Sequence, residues 1–235
     1  MKLLAFDTST ERLAVGLVAG GAARTRNEAG GALASTALLP AVHALMAEAG
    51  LRFADLDAIA FGRGPGAFTG LRTACSVAQG LGLGAGRPLL ALDSLLVVAE
   101  DACPGAADGT EVAVAMDARM DEVYAGHYRR AGGRWQVVSA PALYTLPALA
   151  AAWAAAPPPV VAGSALAAFG ERLALPAAAR RVAAENDRAA ALLRVAAVAF
   201  AAGEAVDAAA ALPLYLRDKV ALTTEERAAA RAAAP

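Results

Sequence analysis

A strand, an acidic turn and a second strand occur twice in this 235-residue sequence, around Asp7-Thr8-Ser9-Thr10 and again around Asp117-Ala118-Arg119-Met120. Helical and strand patterns alternate after each, which argues for an α/β chain of two similar lobes. Leu3–Phe6, Leu13–Val18 and Ala22–Glu28 predict a three-strand meander with Gly20-Gly21 as its tight turn. Ser35 stands where a helix cap belongs, and Leu38, Leu39, Val42, Leu45 and Met46 keep helical spacing up to Ala49, with Gly50 as the stop. Leu56–Phe61 reads as a buried strand, Phe68–Leu83 as a helix, Leu89–Leu92 as a strand and Ser94–Ala102 as a helix.

The breaker-rich run Cys103–Gly109 marks a boundary, so residues 1–103 are expected to form an N-terminal lobe and 104–207 a smaller C-terminal lobe, with 208–235 packing back on the first. In the second lobe, strands near Glu111–Met116, Glu122–Tyr128 and Arg134–Val138 lead to a helix at Leu146–Ala155 and a strand at Val160–Ala162. Arg188–Ala202 reads as the last core helix and Pro213–Arg217 as an extended surface segment. Thr223 with Glu226 forms a capping-box pattern opening a terminal helix at Thr224–Ala233.

With 21 basic and 22 acidic residues, the chain has no sequence-wide footprint for gripping nucleic acid by itself. Cys75 and Cys103 lie far apart and form no CxxC pair, so neither a disulfide framework nor a zinc cluster is expected. The apolar run before Asp7 is too short for a signal peptide, and Pro141, Pro147 and Pro157-Pro158-Pro159 break the uncharged stretch Trp135–Gly170. A reduced, cytoplasmic setting without membrane contact is the expectation. His43 and His127 are separate and no HExxH or GxSxG occurs, which removes the signatures of a zinc protease helix and of a serine hydrolase elbow.

The run Gly62–Arg72 joins a strand to a helix, where glycines permit tight turns and a helix N-terminus offers unpaired N–H groups to an anion. Backbone N–H groups and small hydroxyls of an acidic hairpin can surround a phosphate while the Asp organises a cation, although the same residues also make an ordinary hairpin. Asp7, Thr8, Ser9, Thr10, Gly64, Pro65, Gly66 and Gly163 are the candidate nucleotide-site residues. Neither acidic turn contains a glycine, so the backbone cannot approach a nucleotide closely and the site is expected to be vestigial, with weak ATP binding. Arg72, in the first turn of its helix, opposes the helix dipole and calls for a compensating carboxylate, phosphate or solvent.

Four motifs in order, LLAFDTST, GPGAFTGLR, MDARMDEVYAG and PLYLR, closely resemble the TsaB family, relatives of the TsaD/Kae-type proteins, over most of residues 1–217. The resemblance implies a two-lobed fold of the actin, sugar-kinase and chaperone-ATPase type and a role in making threonylcarbamoyladenosine in tRNA. It implies a non-catalytic subunit that pairs with catalytic, metal-holding TsaD and with the ATPase TsaE, or with a second copy when TsaD is missing. No catalytic residue, metal or tightly bound cofactor is implied; ATP or ADP would sit only at the partner interface, and tRNA would be met only through the complex. TsaD-type members carry two histidines at i and i+4 after the fifth strand; Ser94 and Val98 match those positions and cannot replace imidazole. The implied pairing surface comprises Leu38, Leu39, Val42, Leu45, Met46 and Arg72. Two other functions compete: a kinase-like or ATP-hydrolysing enzyme, for which only the carboxylates are present, and a peptidase, for which no nucleophile–base pair or metal set is found.

Overall fold

The structure, a computed structural model, describes residues 1–183 and 185–217. Strands β1 (Lys2–Asp7), β2 (Arg12–Ala19), β3 (Ala22–Ala29), β4 (Ala58–Gly64) and β5 (Leu89–Asp93) form one sheet in the order β3-β2-β1-β4-β5. Strands β6 (Glu111–Asp117), β7 (Glu122–Ala131), β8 (Arg134–Thr145), β9 (Val160–Ala162) and β10 (Arg180–Val182) form the other, ordered β8-β7-β6-β9-β10. In each sheet the first strand runs antiparallel to the second and parallel to the fourth, so one topology is used twice. The α/β, two-lobed class read from the sequence is the one found.

Strand alternation decides which helices cover each face. Leu4 and Phe6 of β1, with Ile59 and Phe61 of β4, point to the core under α1 (Ala34–Glu48) and α2 (Phe68–Ala85). Leu3, Ala5, Ala58 and Ala60 point the other way, into the core capped by α6 (Arg188–Ala201). Small residues on that face let α6 sit close to the sheet. In the second lobe Ala113 and Ala115 face α4 (Leu146–Ala155) and α5 (Ala165–Phe169), while Val112, Val114 and Met116 face α3 (Ser94–Ala102). The shared wall is α3: Val97 enters the first lobe's core, and Leu95, Val98 and Ala99 enter the second's.

Polar ties reinforce that wall. Asp93 caps α3 by accepting from Leu95 N at 2.9 Å, and its other oxygen accepts from the buried Tyr128 hydroxyl of β7 at 2.6 Å. Burial pushes the Asp93 carboxyl up, against these bonds. Glu100 accepts from Trp135 Nε1 at 2.7 Å and also from Arg194 of α6, while Asp101 accepts from the Asn186 and Asp187 amides at 2.7 and 2.8 Å.

Several expectations are corrected. Residue 207 is not a lobe boundary, because α6 packs on β1 and β2 of the first sheet and leaves the second lobe. Ser35 does not cap α1; a 3-10 turn at Gly31–Leu33 leads into the helix, Leu33 is the cap, and Thr36 Oγ1 bonds back to Leu33 O at 2.9 Å. The third strand of the second lobe continues beyond Val138 to Thr145, and β10 and α5 are additional elements. The capping box and helix at Thr224–Ala233 lie outside the described residues. The segment Gly31–Glu48 is long and apolar enough to cross a membrane by length and composition, yet Leu38, Val42, Leu45 and Met46 in it are core residues of the first lobe. Cys75 is buried near Ala211 O and Cys103 lies beside Arg180, so the two free thiols have separate surroundings.

Candidate functional site

The two acidic turns face each other across a cleft of about 840 Å³ between the lobes, lined by Ser9 to Arg12, Pro65 to Phe68, Met116 to Met120 and Leu214 to Arg217 among others. In the first turn Asp7, Thr8 and Ser9 are all buried. Asp7 Oδ1 accepts from Ser9 N at 2.6 Å, and Asp7 Oδ2 accepts from Arg188 Nη2 at 3.0 Å. The same guanidinium nitrogen donates to Ser9 Oγ at 3.0 Å, and Nη1 donates to Glu185 at 2.9 Å. Burial alone would raise the Asp7 carboxyl, but Arg188 and the Ser9 bonds together hold it below the ordinary carboxylate range. Arg188 is 1% exposed and supplies, from the protein itself, the positive charge that this turn needs.

The glycine-rich junction fills the remaining side of the turn. A Cβ on Gly70 would lie 1.8 Å from Thr8 O, one on Gly62 2.2 Å from the Asp7 carboxylate, and one on Gly66 2.4 Å from Ser9 O. Ala67 N donates to Ser9 O at 2.8 Å, and Thr8 Oγ1 donates to Gly70 O at 2.6 Å. These glycines therefore serve close backbone packing of strand β4 and helix α2 on the acidic turn. The Ser9 amide and the Thr8, Ser9 and Thr10 hydroxyls, expected to face a phosphate, bond within the protein instead. Pro65 and Gly66 line the cleft wall, and Gly64 packs under Leu71 and Leu214. Gly163 lies apart from the first turn; its φ of +115° and a virtual Cβ 2.4 Å from Ala115 O account for the glycine.

Charges around the cleft are matched. Arg188 has Asp7 and Glu185, Arg119 has Glu11 and Asp117, and Arg217 has Glu122. Arg12 lies 3.8 Å from Glu185. Among the described residues, each cation lining the cleft lies within 3.8 Å of a carboxylate, which leaves weak attraction for a nucleoside triphosphate.

Among the described residues, Arg72 meets no carboxylate. Its guanidinium stacks 3.9 Å above the Phe68 ring and its Nε donates to Tyr215 Oη at 3.2 Å. The negative face of an aromatic ring compensates the cation at this helix start. Ser94, at one of the histidine-matched positions, accepts from Gly64 N at 3.1 Å, and Val98 is buried in the interlobe core. His43 meets Phe53 edge-on at 5.4 Å, and His127 Nε2 lies 3.1 Å from Glu111.

The expected pairing stripe is corrected by burial. Leu38, Val42, Leu45 and Met46 are at most 3% exposed and belong to the core between α1 and the first sheet. Leu39 alone of the five is exposed, at 40%; Leu33, which caps α1, and Leu83 of α2 are exposed as well. The spacing that marks an amphipathic helix identifies the inward face; the outward leucine is what a partner could touch.

Arg188 and Arg217 escape the sequence reading. Arg188 opens α6, where the dipole rule that singles out Arg72 applies equally. Arg217 donates to Ala118 O at 2.9 Å and to Arg119 O at 3.3 Å, reaching the second lobe from the end of the described chain.

The family model described as TsaD, tRNA N6-adenosine threonylcarbamoyltransferase, matches residues 32–232. A tRNA threonylcarbamoyladenosine biosynthesis protein TsaB from Escherichia coli K12 is 39% identical over 132 residues, 55% of this chain and 56% of that protein. A TsaB of the same description from Haemophilus influenzae is 40% identical over 124 residues, 53% and 52% of the two chains. The chain thus spans about half the length of the curated relatives it matches. Among solved structures, a Pseudomonas aeruginosa protein described by its similarity to peptidase YeaZ is 41% identical with a TM-score of 0.81, over 92% of this chain and 99% of that one. YeaZ from Pseudomonas aeruginosa is 40% identical with a TM-score of 0.79 over the same shares.

Proposed function

The chain belongs to the TsaB family, within the wider TsaD family, and from that premise we propose that it is a non-catalytic partner subunit in tRNA threonylcarbamoyladenosine biosynthesis. One observation carries this reading. The acidic turn of the first lobe, where an active relative would hold phosphate and cation, is occupied by Arg188 and by the glycine-backed junction of β4 and α2. A chain built this way contributes a surface, and its catalytic chemistry comes from a partner.

The proposed partners are TsaD and TsaE, with a second copy of the chain taking TsaD's place when TsaD is absent. Pairing would use the outer face of α1 and α2, where Leu39 and Leu83 are 40% and 62% exposed and Arg72 stands at the start of α2. ATP or ADP would be held at that interface, tRNA would be met through the complex, and the setting would be cytoplasmic.

The test is co-purification with TsaD and TsaE, followed by tRNA modification assays omitting each component. Leu39→Glu and Leu83→Glu place a charge on the exposed face and should leave the circular dichroism spectrum unchanged. Both should lose co-elution with TsaD and, with it, modification, because an unpaired charge buried in an interface costs several kcal/mol. Full pairing and modification by both variants would remove this face from the account.

A further inference from the structure

We propose that Pro213–Arg217 is an interlobe strap that holds the acidic turn of the second lobe in its left-handed conformation and ties it to the Phe68–Arg72–Tyr215 cluster on α2. The turn is where support is needed. Arg119, Met120 and Asp121 follow one another with φ of 64°, 56° and 58°, and none of them is a glycine. Each such residue places its Cβ against its own backbone, so three in succession persist only where surrounding contacts hold them. Within the turn, Ala118 N donates to Glu122 O at 2.9 Å, Glu122 N to Arg119 O at 3.1 Å, and Arg119 N to Asp117 Oδ1 at 2.8 Å.

Arg217 supplies the external part. Its Nη2 donates to the carbonyls of Ala118 and Arg119 at 2.9 and 3.3 Å and pairs with Glu122 Oε2 at 2.7 Å. Nη1 lies 3.1 Å from Met120 Sδ. All three oxygens lie around the single nitrogen Nη2, whose two hydrogens they share, and the planar guanidinium fixes the direction of those hydrogens where a rotating ammonium does not. The Arg217 side chain is 13% exposed, so these bonds are well shielded from water.

The other end of the segment is fixed in the first lobe. Leu214 N donates to Arg63 O at 2.7 Å, and the Tyr215 ring packs 5.1 Å from that of Phe68, with Arg72 donating to its hydroxyl. Leu216, between these anchors, packs at the edge of the interlobe core. The segment thus runs from the glycine-rich junction to the opposite acidic turn, and Leu214 to Arg217 form a wall of the cleft. At the same rim the Glu11–Arg119 pair also crosses between lobes, but both side chains are more than 70% exposed and the pair holds little. The α2 end of the strap lies on the face through which pairing is proposed, yet the strap acts within the free chain and stands or falls apart from pairing.

Hydrogen–deuterium exchange on the free chain tests it with two variants. In Arg217→Ala, exchange of the peptide covering 118–122 should accelerate by about tenfold or more, as loss of hydrogen bonds from a charged donor implies. Tyr215→Ala removes an anchor that touches no atom of the turn and should accelerate the same peptide by about threefold, with β4 and α6 peptides unchanged. Tyr215 is half exposed, so that variant keeps its fold even if Arg217→Ala does not. Arg217→Lys should fall between wild type and Arg217→Ala. Unchanged exchange at 118–122 in Arg217→Ala overturns the proposal. So does acceleration in Arg217→Ala with none in Tyr215→Ala, since Arg217 would then be a local bond without a strap behind it.

Discussion

Asp7 and Asp117 each end the first strand of a sheet with the same strand order, yet Asp7 is buried against Arg188 while Asp117 lies half-buried beside the exposed Arg119. The difference originates in the segment after the fourth strand of each sheet. After β4, Gly62, Gly66 and Gly70 let the β4–α2 junction press onto Asp7, Thr8 and Ser9 until little room remains. After β9, Gly163 presses on Ala115 and Met116 at the end of β6 and not on the turn itself, to which Ser164 is joined by the bond that Asp117 N donates to its Oγ at 3.1 Å. One topology therefore yields a filled turn that stiffens a lobe and an open, left-handed turn held from outside. Topology alone does not assign a nucleotide site; the packing behind the hairpin does.

Arg188→Ala should give the largest effect, because it strips the charge partner from a fully buried Asp7. A loss of about 3–5 kcal/mol in urea unfolding is expected. Arg119→Ala, which removes the equivalent cation beside Asp117, should change stability little because that pair faces solvent. Equal losses from the two would erase the distinction between the turns.

Gly70→Ala is next. Its new Cβ would meet a backbone carbonyl oxygen that cannot swing aside, so about 2–3 kcal/mol should be lost. Gly80→Ala, in the same helix with nothing within 4 Å, should gain about 0.5–1 kcal/mol from helix propensity. A neutral Gly70→Ala would mean that the junction does not press on the first turn.

Acid titration sharpens the contrast further. Since the folded Asp7 carboxyl lies below its ordinary 3.8, the stabilisation is complete above that value and is lost as pH falls through the lower folded value. A single group of this kind changes stability by at most about 1.4 kcal/mol per pH unit. Asp7→Asn should start less stable at neutral pH and lose that part of the acid dependence. An unchanged acid limb would show that Asp7 is not held as an ion.

The smallest expected effect lies in the second turn. Met120→Gly gives φ of +56° to a residue that adopts it freely and should gain about 0.5–1 kcal/mol, measured as a higher Tm, after the unfolded-state entropy of glycine is subtracted. A loss of stability would instead mean that the Met120 contact with Arg217 outweighs the relief of backbone strain.

Much of the fold is legible in the sequence because hydrophobic alternation and breakers are local signals. Leu3–Phe6, Leu13–Val18, Leu146–Ala155 and Val160–Ala162 fall on observed elements for that reason. The placement of α6 is not local: its apolar residues Leu192, Leu193 and Val195 would suit either sheet, and Ala5 of β1 and Gly16 of β2 are the small residues that receive it. At the site, the residue types are legible and the pairings are not. GPGAFTGLR signals close approach of backbone to something; the sequence leaves open a phosphate, and the structure supplies Thr8 and Ser9. Leu38, Val42, Leu45 and Met46 illustrate the same limit, since periodicity marks a face without saying whether a core or a partner covers it.

The central claim, that the chain's own Arg188 and glycine-backed junction take the place of phosphate and cation at the first turn, is tested most directly by calorimetric titration of ATP with magnesium into the free chain. The account predicts no saturable binding heat. A one-to-one isotherm of micromolar affinity, abolished by Thr10→Glu in the cleft, would contradict it.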